Sequence, residues 1–167
     1  MTLEEKAVEK LLTKGYTVTT AESCTGGLIA ATLINVSGVS EIYKEGYITY
    51  ANEAKEKLLG VRRETLENYG AVSEQTAYEM AVGASKSAGA DVSLVSTGIA
   101  GPSGGTKEKP VGLVYLGCCL KGRVTVRKEN FHGDRESIRH QAVTAALELL
   151  LYVLSEETDS QVQEGSI

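Results

Sequence analysis

Tryptophan is absent from the 167 residues and Phe131 is the only phenylalanine, so aromatic stacking falls to eight tyrosines. Histidine occurs only as His132 and His140, which excludes a histidine-rich metal centre. Cysteine occurs at Cys24, Cys118 and Cys119, an odd count with two adjacent and no CxxC spacing. That pattern points to reduced thiols in a cytoplasmic protein and away from a disulfide frame or a zinc site. No apolar run approaches the ~18–20 residues of a membrane-crossing helix. The N-terminal stretch MTLEEKAVEKLLTKG is charged throughout and has no secretory apolar segment. A basic excess is missing as well. Lys plus Arg is 17 and Asp plus Glu is 22, for a net charge of −5. The last 13 residues, SEETDSQVQEGSI, hold four of the acids; before them 17 basic residues face 18 acidic ones, a net of −1. A nucleic-acid surface normally shows as a basic excess, so neither a nucleic-acid nor a membrane partner is expected. A local basic pocket for a small anion remains compatible with these numbers.

What is present fits one globular domain: 42% hydrophobic and 23% charged residues over a single domain's length. Residues 1–154 are expected to form that domain and 155–167 a polar, disordered tail. Thr2-Leu3-Glu4-Glu5 reads as a capping box ahead of a helix that Gly15 ends. TVTTA (17–21) reads as a strand, SCTGG as a turn and LIAATLI (28–34) as a buried helix. A strand follows over 43–50, then short helices closed by Gly60 and Gly70. Ser73 caps a helix with an alanine-rich stripe that Gly89 stops, and VSLVS (92–96) is a buried strand. Residues 98–112 hold five glycines and both prolines and form a loop. A hairpin turns at Lys121-Gly122, and a last helix starts after Gly133-Asp134. The order α-β-α-β-α-α-α-β-β-β-α implies an α/β fold, its mixed sheet covered on both faces.

Four places could carry chemistry. In Glu22-Ser23-Cys24-Thr25-Gly26-Gly27 a strand runs into a glycine turn and then a helix. Such a turn aims side chains off the carboxyl edge of the sheet, and its free N–H groups suit a phosphate or an oxyanion. The plainer reading is a helix cap. In Tyr50-Ala51-Asn52-Glu53-Ala54-Lys55 the lysine is either a solvated helix residue or the partner of a serine. A lysine buried among apolar groups loses its proton more readily and can then activate a serine hydroxyl without any histidine. A chain this poor in histidine needs such a base for serine chemistry. Thr97-Gly98 opens the long glycine loop, which is either an exposed turn or a ligand-facing segment. Arg135 and Arg139, four apart on one helix face, could grip an anion or pair with surface acids.

Taken together, TAESCTGG, GYITYANEAKEKLLGV, YGAVSEQTAYEMAVGA, STGIAGPSGGTKEKPVG and FHGDRESIRHQA resemble the CinA C-terminal domain family, which includes nicotinamide-nucleotide amidases of the PncC type. The resemblance spans about residues 3–153. It implies a three-layer α/β/α sandwich with a mixed, mostly parallel sheet. It implies hydrolysis of the carboxamide of nicotinamide mononucleotide to nicotinic acid mononucleotide and ammonia. It implies no metal and no cofactor, and a homodimer or higher homo-oligomer. Carried over residue by residue, Ser23 is the nucleophile, Lys55 the base and Tyr50 a positioning or relay group. Thr25, Gly26, Gly27, Thr97 and Gly98 would contact substrate or oxyanion, and Arg139 the phosphate, with the share of Arg135 left open. Larger members carry an N-terminal domain tied to nucleotide pyrophosphatase activity; the resemblance does not reach it, so that activity is not carried over. Two alternatives stand beside this reading: a non-catalytic nucleotide- or phosphate-binding domain, and an amidase for another small carboxamide.

Overall fold

The computed structural model describes residues 1–164, with side chains through Glu157. Helix α1 (Leu3–Lys14) opens the chain. The expected capping box forms: Thr2 Oγ1 accepts from Glu5 N–H at 3.2 Å, and Thr2 N–H donates to Glu5 Oε2 at 2.7 Å. Then come β1 (Val18–Glu22), α2 (Leu28–Leu33), a 3-10 turn (Val39–Glu41) and β2 (Tyr47–Ile48). Helices α3 (Asn52–Leu59), α4 (Arg63–Tyr69) and α5 (Glu74–Ala88) follow. The chain ends with β3 (Val92–Gly98), β4 (Leu113–Leu120), β5 (Arg123–Asn130) and α6 (Arg135–Glu164).

The five strands form one mixed sheet in the order β2-β1-β3-β4-β5. The first three are parallel neighbours; β4 runs antiparallel to both β3 and β5. Successive residues of a strand face opposite sides of a sheet. Leu94 and Cys118 accordingly enter one apolar core with α1, α2 and α6. Val95 and Cys119 enter the other, with Leu59, Leu66 and Met80 from α3, α4 and α5. The expected three-layer α/β/α arrangement is present, and the adjacent cysteines lie in different cores.

Two expected boundaries differ. The strand expected over 43–50 is a two-residue ladder plus a lone bridge from Tyr43 to Val18. Threonines of β1 replace the rest of it: Thr19 Oγ1 donates to the Glu45 carbonyl at 2.9 Å, and Thr20 Oγ1 meets the Tyr43 hydroxyl at 2.7 Å. Helix α6 runs past residue 154 to Glu164, where disorder was expected from 155. No glycine or proline interrupts residues 134–164. The final three residues of the expected tail lie outside the described residues. Among the described residues, no helix is long and apolar enough to cross a membrane.

Candidate active site

Parallel pairing brings the carboxyl ends of β1, β2 and β3 together. Glu22 lies opposite Ile48 on one side and Ser96 on the other. Just past that register, Ser23 N–H donates to the Ser96 carbonyl at 3.0 Å, and Thr49 N–H donates to the Glu22 carbonyl at 2.8 Å. Gly26 and Gly27 then take φ of 58° and 107°, a region that glycine enters without a Cβ clash, and α2 begins at Leu28.

The turn presents Ser23 to Lys55 from the first turns of α3. Lys55 Nζ lies 3.1 Å from Ser23 Oγ. It also donates to the carbonyls of Thr49 at 2.7 Å and, more weakly, Tyr50 at 3.5 Å. Lys55 is only 1% exposed. Among the described residues no carboxylate forms an ion pair with it within 4.0 Å. Burial therefore pushes its amine down from 10.5 to about 8. Cys24, next to the serine, moves the other way. Burial raises its thiol to about 11, so it stays protonated and poorly nucleophilic at neutral pH.

Ser23 and Lys55 open into a cavity of about 180 Å³ whose wall includes Cys24, Tyr50, Ala71, Thr97, Gly98 and Arg135. Of the residues expected here, Ser23, Lys55, Tyr50, Thr97 and Gly98 are thus brought together. Their side-chain engagements differ from the expectation. Tyr50 is 66% exposed at the rim, and its hydroxyl accepts from Arg135 Nη2 at 3.3 Å. Its carbonyl, not its phenol, meets Lys55. Thr97 Oγ1 donates to the Ala71 carbonyl at 2.7 Å.

Thr25, Gly26, Gly27 and Arg139 are not part of the wall. Thr25 Oγ1 donates inward to Glu22 Oε1 at 2.6 Å. Arg139 Nε donates to the Cys24 carbonyl at 3.0 Å and Nη2 to the Thr25 carbonyl at 3.1 Å. Two of its N–H groups thus brace the turn. Arg135, one helical turn earlier, reaches the wall and donates to the Gly101 carbonyl at 2.9 Å.

Reading the sequence missed two groups that act through main-chain oxygen, Thr49 and Ala71. A carbonyl has no side-chain signature to find. It also gave no role to Glu22, although an acid ending an otherwise uncharged β-rich run (TVTTAE) was a usable signal. Among the described residues no three of His, Cys, Asp and Glu gather as a metal cluster.

Comparison with known proteins gives the family and the fold. The family model "CinA C-terminal domain" matches residues 1–154. A "CinA-like protein" of Kosmotoga olearia is 57% identical over 148 residues, 89% of this chain and 36% of that relative. The chain thus spans about a third of that curated relative's length. A CinA superfamily protein of Klebsiella pneumoniae superposes with a TM-score of 0.89 at 38% identity, covering 92% of this chain and 96% of its own. A competence/damage inducible protein of Agrobacterium tumefaciens gives 0.85 at 43% identity, covering 93% and 97%.

Proposed function

We propose that this chain, which belongs to the CinA C-terminal domain family, hydrolyses the carboxamide of nicotinamide mononucleotide through a Ser23–Lys55 pair. The observation that carries this reading is the 3.1 Å contact between Ser23 Oγ and a buried amine held near 8.

The surroundings of Lys55 suit a base. A neutral amine has two N–H bonds and one lone pair. The Thr49 and Tyr50 carbonyls accept the two hydrogens, which leaves the lone pair facing the Ser23 hydroxyl. Lys55 takes the Ser23 proton as Oγ attacks the carboxamide carbon. The N–H of Cys24, the residue after the nucleophile, stabilises the developing oxyanion; losing one such donor typically costs ~2.7–4 kcal/mol in the barrier. Lys55 then protonates the departing nitrogen, which leaves as ammonia. Water attacks the resulting ester, giving its proton to Lys55. Lys55 passes that proton to Ser23 Oγ as the carboxylic acid departs and ionises in water.

At the mouth, Arg135 lines the cavity and Arg139 does not, so the phosphate role expected of Arg139 goes to Arg135. Held far from the reacting carbon, the phosphate contributes orientation. Ser23→Ala is expected to abolish ammonia release from the mononucleotide while leaving mononucleotide binding measurable by calorimetry. Ammonia release by the variant at near the parent rate would refute the nucleophile assignment. A parent protein that binds the mononucleotide tightly and releases no ammonia would instead be a binding domain.

A further inference from the structure

Glu22 is a carboxylate buried to 1% exposure directly before the nucleophile, yet it does not reach the cavity. Its side chain satisfies the far side of the turn. Oε1 accepts from Thr25 Oγ1 at 2.6 Å and from Ile29 N–H at 2.8 Å; Oε2 accepts from Ala30 N–H at 3.1 Å. Because Thr25 spends its proton on Glu22, the 2.7 Å contact between Thr25 Oγ1 and Ser96 Oγ is donated by Ser96, on β3. One carboxylate thereby ties together the end of β1, the start of α2 and the neighbouring strand. Its main chain reaches the other half of the site. The Glu22 carbonyl holds Thr49 N–H, and the Thr49 carbonyl holds Lys55 Nζ.

From this double attachment we infer that Glu22 is a positioning residue that sets the separation of Ser23 Oγ from Lys55 Nζ, gripping the serine turn by its side chain and the lysine's anchor by its backbone. The inference rests on the proposed nucleophile role of Ser23. A carboxylate is needed because all three side-chain bonds are accepted. In Glu22→Gln, one oxygen becomes an N–H₂ group that in either orientation must face an amide N–H of α2, that of Ile29 or that of Ala30. A buried donor set against a donor leaves both unsatisfied, and the turn relaxes away from its register.

The test uses a fluorophosphonate, which phosphonylates an activated serine with loss of fluoride and needs no knowledge of the natural substrate. Labelling of Ser23 in the parent protein is followed by mass spectrometry as a second-order rate, alongside kcat and KM for ammonia release. In Glu22→Gln the labelling rate and kcat are expected to fall about tenfold or more, the scale of one buried unsatisfied polar group, with KM little changed. Thr25→Val, which removes only the hydroxyl, is the second variant in case the first does not fold. It is expected to slow labelling as well, and the double variant to slow it by less than the product of the two single effects, since the Thr25–Glu22 bond is common to both. A folded single variant that labels at the parent rate overturns the role of Glu22. Parent protein unlabelled at Ser23 overturns the nucleophile itself, and this role with it. Parent protein labelled at Ser23 but silent toward the mononucleotide leaves the pair standing and rejects only the substrate.

Discussion

At the scale of single residues, the proposed mechanism makes Lys55 decide the chemistry and its protonation the pH dependence. With the amine near 8, roughly a tenth of it is neutral at pH 7, so kcat/KM is expected to rise about tenfold per pH unit below 8 and level off above it. A profile flat from pH 6 to 9 would remove Lys55 from the base role. The same shift makes a stability prediction with a definite sign. Between pH 8 and 10.5 the unfolded chain holds a proton at Lys55 that the folded chain has released, so stability rises with pH across that window. Relative to Lys55→Met, which lacks the group, the parent should gain up to about 3 kcal/mol there by chemical denaturation. The serine–lysine pairing was legible in the sequence because histidine is scarce and one lysine stands in the Tyr50–Lys55 motif. The division of labour between Arg135 and Arg139 was not. Four residues apart, both share a helix face, and only the packed turn shows that Arg139 holds the Cys24 and Thr25 carbonyls while Arg135 lines the cavity.

Among elements, α3 matters most because it carries Lys55, the proposed base. Its far end is pressed against α5 at Gly83, where an added Cβ would stand 1.7 Å from the Leu59 carbonyl oxygen. Gly83→Ala must push the helices apart, an overpacking cost of typically 1–3 kcal/mol against a gain in helix propensity of roughly 1. One helical turn before Leu59 lies Lys55, so the variant should both melt earlier and lose kcat. Calorimetry together with ammonia release would check the pairing; unaltered turnover in a destabilised protein would uncouple α3 packing from the site. Helix ends were readable wherever glycine takes a left-handed φ, as at Gly15, Gly60 and Gly89. The extent of β2 was not readable. Its aromatic and β-branched residues suit a strand, but hydroxyls of β1 hold that segment instead, Thr19 at the Glu45 carbonyl and Thr20 at the Tyr43 hydroxyl.

For the molecule as a whole, α6 links the cavity to the opposite end of the sandwich. Arg135 stands at the cavity wall, and Ser155 lies twenty residues along, about 30 Å away at 1.5 Å per residue. There Lys10 donates to Ser155 Oγ at 2.8 Å, and the Tyr16 hydroxyl donates to Glu157. Ending the chain after Leu154 should therefore lower Tm by several degrees, as expected for losing bonds worth about 1 kcal/mol each, and leave the rate of ammonia release intact. Thermal melts and a rate comparison would settle it, and a large loss of rate would place residues 155–167 within the functional domain. The small interior of the cavity has a bearing on selectivity. On the proposed reading, the cavity of about 180 Å³ receives the pyridine ring and its amide. A dinucleotide coenzyme offers that same ring, so on this reading discrimination falls to the entrance. There a terminal phosphate monoester presents up to two negative charges, whereas each bridging phosphate presents one. With Arg135 as the reader, Arg135→Gln should narrow the ratio of kcat/KM between mononucleotide and dinucleotide. A cell that recycles its coenzyme fragments would then owe the safety of the intact coenzyme to a single guanidinium at the doorway.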